Sequence, residues 1–220
     1  MDGVNENNNF IYFTTSLVIL LLVSALVDTM PDGEGGLLLK FIILLTEIVA
    51  LVSLSFGTHW RGFMALMVAL VIIATSIDEL TQWQWAPVLG LLSTLIFFMG
   101  IAFAVGRRVL FSGNVDANTI IGALAVYLLL GLIWATLYLM SLEFFPDSFN
   151  GLAREDWSDN FSNAVYFSFV TMTSLGYGDI SPALPVTRAL AYLQAITGAF
   201  YMAIVVASLI GARTTSPQKS

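Results

Sequence analysis

Long apolar runs broken by short polar stretches set the pattern of this chain. Charge-poor segments recur at positions 10–27, 37–56, 62–77, 86–105, 119–142 and 186–212. A bilayer core of about 30 Å takes roughly 20 apolar helical residues to cross. Lipid offers no partner to a free backbone N–H or C=O, so helices are the default for such runs. The pattern therefore predicts an all-α membrane protein with six transmembrane helices. A seventh apolar run, 161–172, would make a helix of about 18 Å, too short to span. Ser158 and Asp159 precede it and carry side-chain oxygens suited to capping a helix start. That run reads as a helix that dips into the membrane and returns.

Charge sets the expected direction. Lysine and arginine gather on the cytoplasmic side of membrane spans. With the N-terminus inside, that side receives Arg61, Arg107, Arg108, Arg213 and Lys219, against Lys40, Arg154 and Arg188 outside. Trp60, Trp83 and Trp85 fall at span ends, where an aromatic belt is expected. Asp28, Asp32, Glu34, Asp78, Glu79 and the acidic stretch 143–159 then face outward, and both termini are expected to be cytoplasmic. Residues 1–9 hold Asp2 and Glu6 and no Lys or Arg, unlike the positive start of a secretory signal, so the first span is expected to be retained.

Composition narrows the chemistry. Of 220 residues, 58% are hydrophobic and 10% charged, where a soluble domain carries about 25% charged. The net charge of −7 argues against a nucleic-acid partner. There is no cysteine, and His59 is the only histidine, so thiolate and multi-histidine metal sites are excluded. No catalytic constellation is visible, and neither an enzyme nor a bound cofactor is expected.

Between the fifth run and the last lies Thr171-Met172-Thr173-Ser174-Leu175-Gly176-Tyr177-Gly178-Asp179. This segment resembles the potassium-channel signature Thr-x-x-Thr-Val-Gly-Tyr-Gly-Asp. In the general account of such filters, backbone carbonyls replace the water around the ion. An extended strand alternates its carbonyls, whereas glycine enters positive φ without a Cβ penalty. Gly176 and Gly178 supply such positions.

The resemblance covers about 119–212, the two-helix pore module of tetrameric potassium channels. It implies a re-entrant pore helix followed by a selectivity-filter loop. It also implies potassium ions as the permeant ligand, held by the carbonyls of Ser174, Leu175, Gly176 and Tyr177 and by the Ser174 hydroxyl, with Gly178 closing the filter. Thr173, Asp179 and Tyr166 would support it, Tyr166 by donating to Asp179. Four copies would form a homotetramer in the lipid bilayer of a cell membrane. Gly198 falls where that family often has a hinge glycine; a small residue at a helix contact is the other reading. Ser174 and Leu175 depart from the usual Thr and Val, and both keep the backbone carbonyl.

Residues 1–117 then read as a four-helix domain like a voltage sensor, and 118–220 as the pore domain. A voltage sensor needs about three or four moving charges per subunit. Residues 80–106 contain no charged side chain, so steep voltage dependence is not expected. Glu47 lies well inside the second span, and an acid there is costly and needs a partner or water. It reads as a protonated or hydrogen-bonded remnant, or as a proton- or ligand-sensing group. The expected function is a potassium-selective channel. The alternatives are a less selective cation channel or a non-conducting regulatory subunit. A transporter built from repeated halves is disfavoured because the signature occurs once.

Overall fold

A computed structural model describes residues 9–27, 29–30, 34–54, 57–81, 83–110, 116–152 and 155–215. Asp2, Glu6, Asp28, Asp32, Arg154 and Lys219, used above for topology, lie outside the described residues. The helices fall on the apolar runs: α1 (Asn9–Val27), α2 (Glu34–Ser53), α3 (Thr58–Thr81), α4 (Ala86–Leu110), α5 (Ala117–Phe144), α6 (Phe161–Met172) and α7 (Pro185–Thr215). Six are long and apolar enough to cross a membrane; α6 is not among them. Two-residue strands β1 (Phe149–Asn150) and β2 (Ser181–Pro182) pair antiparallel, Phe149 opposite Pro182.

Several helices run a turn beyond the apolar segments, α3 most clearly. A helix does not stop where hydrocarbon ends; it stops where its backbone groups find other partners. At the start of α5 that partner is Asp116, in extended conformation, whose carboxylate accepts from the Thr119 amide and hydroxyl, each at 2.7 Å. Both bonds favour the charged form and hold the Asp116 carboxyl below the usual carboxylate range.

Helix α5 is the hub, packing against α1, α4, α6 and α7. Its core-facing side mixes Leu129, Leu132 and Leu139 with Ala125 and Ala135, all fully buried. Small residues bring backbones close where no water drives apolar helices together. A Cβ at Gly131 would lie 2.4 Å from the Phe169 ring of α6. From α1, the Thr14 hydroxyl donates to the Ile121 carbonyl of α5.

The first four helices pack in chain order, α1 on α2, α2 on α3 and α3 on α4, and α5 joins both ends of the series through α4 and α1. Lys40 of α2 bridges Asp78 at 3.4 Å and Glu79 at 2.8 Å of α3, tying those helices together at one end. Gly36, beside Ser158, brings the 155–160 loop to the same end.

Glu47 of α2 is fully buried, and neither carboxyl oxygen has a hydrogen-bond partner. Thr94 of α4 is the polar side chain that faces it, without a hydrogen bond of ordinary geometry. A buried polar group left unpartnered costs about 1–3 kcal/mol. Glu47→Met, close in volume and without the oxygens, is expected to raise unfolding stability by about that amount. Denaturant titration of the purified protein in detergent checks it, and an unchanged or lower midpoint counts against the unpartnered geometry.

Candidate functional site

The segment 173–179 is built from helix α6 outward. Sequence suggested Ser158 or Asp159 as its cap; the cap residue is Asn160, with no side-chain capping bond. Asn160 sits in helical conformation because the chain is already turning there. The amides of Asp159 and Asn160 both bond to the Asp156 carbonyl. A side-chain cap needs an extended residue, and the turn removes it.

At the other end of α6, the orphan carbonyls of the last turn are taken by the following residues. Phe169 O accepts from the Thr173 amide at 3.0 Å and its hydroxyl at 2.7 Å, and Thr171 O accepts from the Ser174 amide at 3.0 Å. Val170 O accepts from the amides of Leu175, at 2.9 Å, and Gly176, at 3.4 Å. The loop's amides therefore point back into the helix end.

Positive φ recurs at every second residue: Ser174 at 59°, Gly176 at 59° and Gly178 at 83°. Switching hand at successive residues turns consecutive carbonyls toward one side, which a strand of period two does not do. Sequence reasoning placed this freedom at the glycines and missed Ser174. Residues 173–179 are all exposed, between buried Met172 and Ile180, with Leu175 at 56% and Tyr177 at 68%. Within one chain nothing lies within 4 Å of a Cβ built at Gly176 or Gly178.

The outer end is held from two sides. Tyr166 Oη donates to Asp179 Oδ2 at 2.7 Å, and its ring stacks 6.5 Å from that of Tyr177. Gly151 approaches so closely that a Cβ there would meet the Asp179 carbonyl at 2.3 Å; its φ of 83° also suits glycine. The Thr187 hydroxyl and the Ala183 amide both donate to the Ser148 carbonyl, at 2.9 Å each. Beneath them Tyr138, Phe149 and Phe167 meet with ring centroids 4.9–5.4 Å apart.

Behind the loop lies a constellation that sequence reasoning did not find. Gln194 of α7 is fully buried. Its Oε1 accepts from Tyr138 Oη at 2.5 Å, and its Nε2 donates to Ser168 O at 2.9 Å and Ser168 Oγ at 2.7 Å. Ser168 Oγ in turn donates to the Gly131 carbonyl at 2.6 Å. The available signal was one amide side chain in the middle of an apolar span. Gly198 lies where α7 meets the end of α6; a Cβ there would sit 2.3 Å from the Met172 carbonyl. Helix α7 is continuous through it, so close contact accounts for this glycine in the observed structure.

Residues 122–214 match a family model described as an ion channel. Over 79 residues the chain is 33% identical to two-pore potassium channel 4 of Arabidopsis thaliana, covering 36% of this chain and 26% of that protein. Over 58 residues it is 41% identical to the inward rectifier potassium channel Kirbac3.1 of Paramagnetospirillum magnetotacticum, covering 26% of this chain and 19% of that protein. The chain thus spans about a quarter or less of the length of these curated relatives. No solved structure matches it significantly.

The Tyr166–Asp179 bond has a definite pH range. The phenol's donation holds the Asp179 carboxyl below the usual carboxylate range, and Tyr166 is pushed up to about 12, chiefly by the same bond. The lowered acid makes the bond fully effective above its unfolded pKa of about 3.9; the raised phenol makes it so below about 10. It is lost as pH falls through the lowered Asp179 value or rises through about 12. Tyr166→Phe is expected to return the Asp179 pKa toward about 3.9. A carboxylate NMR titration of the labelled protein checks this, and an unmoved midpoint argues against the bond.

Proposed function

We propose that this chain, whose residues 122–214 match an ion-channel family model and which is similar over 79 and 58 residues to two potassium channels, is one subunit of a potassium-selective channel whose pore is built from four copies around an axis. The observation that carries this reading is the exposed, hand-alternating run 173–179. Irregular backbone at membrane depth is tolerated only where protein buries it or a water-filled cavity lines it. One chain provides neither on that side. Further copies would cover the exposed Leu175 and Tyr177 side chains and leave the carbonyls facing a wet axis.

In this reading the carbonyls of Ser174, Leu175, Gly176 and Tyr177, with the Ser174 hydroxyl, take the place of water around potassium. Gly178 completes the turn outward, with Thr173, Tyr166 and Asp179 as support. Residues 1–117 form a four-helix domain beside the pore domain 118–220, both termini are cytoplasmic, and the membrane is that of the cell. Helix α4 carries Arg107 and Arg108 only in its last turn, which supports a topology anchor over a moving sensor. A less selective cation pore is the nearest rival, because selectivity depends on filter dimensions.

Vesicles loaded with potassium and carrying the full chain are expected to show flux that sodium does not replace and barium stops. Equal sodium flux overturns the selectivity. Gly178→Ala, which places a Cβ at a φ of 83°, carries about 1–3 kcal/mol of local strain and is expected to abolish selective flux. In planar bilayers the current is expected to lack a gating-charge displacement before opening. A displacement of about three or more charges per subunit is the contrary result.

A further inference from the structure

Two of the contacts between α7 and α6 lie one turn apart on each helix. Gln194 meets Ser168, and Gly198 meets Met172. Residues at i and i+4 share a helix face, so the two contacts fix both the rotation of α6 and its position along α7. The lower point is steric: Gly198 lets the α7 backbone reach the Met172 carbonyl. The upper point is polar and fully matched. Both Nε2 hydrogens of Gln194 have acceptors on Ser168, the Ser168 hydroxyl is spent on Gly131, and the Tyr138 hydroxyl is spent on Gln194 Oε1.

We propose that Gln194 is a positioning residue that sets the ion selectivity of the filter by locking the pore helix α6 in register with α7. This rests on the potassium-pore reading above. The path from Gln194 to the filter is short. Ser168 immediately precedes Phe169, Val170 and Thr171, whose carbonyls hold the amides of Thr173, Ser174, Leu175 and Gly176. A small rotation or slide of α6 at Ser168 therefore carries the filter backbone with it. Gln194, Ser168 and Tyr138 are fully buried whereas residues 173–179 are exposed, so Gln194 acts through α6 rather than on an ion.

A connected buried network also contributes stability, so the test needs a readout that a merely structural role leaves alone. Ions that bind the folded assembly raise its melting temperature according to their affinity, and this needs no open gate. The full-length protein in detergent is titrated with potassium and separately with sodium, following the melting midpoint. The parent is expected to respond to potassium at concentrations at least about tenfold lower than to sodium. Gln194→Met keeps the volume and removes every bond; it is expected to bring the two ions within about threefold of each other. Ser168→Ala keeps the carbonyl acceptor and is expected to give an intermediate ratio. Tyr138→Phe leaves the Gln194–Ser168 contact and is expected to lower the midpoint while keeping the parent ratio.

A Gln194→Met protein that melts lower yet keeps the parent ratio overturns the proposal and leaves the pore reading intact. Should that variant fail to fold, a parent-like ratio in Ser168→Ala overturns it equally. A parent that does not distinguish the ions overturns both readings.

Discussion

A membrane interior leaves a free amide or carbonyl without a partner, and every irregular residue at membrane depth has to answer that constraint. The segment 173–179 answers half of it inside one chain. The amides of residues 173–176 close back on the carbonyls of Phe169, Val170 and Thr171, which the end of α6 would otherwise leave open. Two sets of orphan groups cancel each other. The same segment alternates in hand at 174, 176 and 178, and in the proposed pore that alternation would turn its carbonyls toward one side. In that reading the geometry that satisfies the first four amides also presents the oxygens.

Such a segment is only as well placed as the short helix beneath it, and α6 has twelve residues to be held by. The elements packed around it, α5, α7 and the outer loop, act as its mount. Helix α5 receives Phe169 against Gly131 and Ser168 against the Gly131 carbonyl. Helix α7 meets it at Gln194 and Gly198, and Tyr201 of α7 donates to the Ala123 carbonyl of α5 at 2.5 Å. The outer loop presses Gly151 against Asp179, while β1 and β2 staple the loop to the start of α7. The first four helices reach this mount mainly through α5, with α1 touching α6 as well. A change in their packing would therefore be felt first at α5.

Much of this was legible in the chain because it depends on local quantities. Span lengths, the 161–172 run and the glycine spacing are properties of short windows, and the helices fall on them within a turn or so. The cap of α6 was misread because Ser158 and Asp159 have the right chemistry but lie in backbone that is already turned. The Gln194 constellation was invisible for a different reason. Its members lie on three helices, Tyr138 and Gln194 being 56 residues apart, and no local pattern announces that pairing. The burial of Glu47 without a partner was equally beyond reach, since an acid in an apolar run does not reveal which helix faces it.

Ser174 ties the sequence departure to the geometry. A non-glycine residue with positive φ is uncommon, and for a β-branched side chain it is a true outlier. At a φ of 59° the threonine usual in the resembled signature would bring a second heavy atom on Cβ into that strained position. Serine keeps the hydroxyl that the proposed innermost ion site uses and sheds the branching methyl. Its amide is held by the Thr171 carbonyl at 3.0 Å, so the backbone conformation is imposed by the helix end and does not rest on side-chain packing. Leu175 is the complementary case. It lies between two left-handed positions, contributes its amide to Val170, and projects a side chain that one chain leaves 56% exposed. In the proposed assembly its size is thus a matter between copies and not within one. The two departures fall on separate physical terms, local strain for Ser174 and packing across the proposed assembly for Leu175, and neither touches the carbonyls themselves.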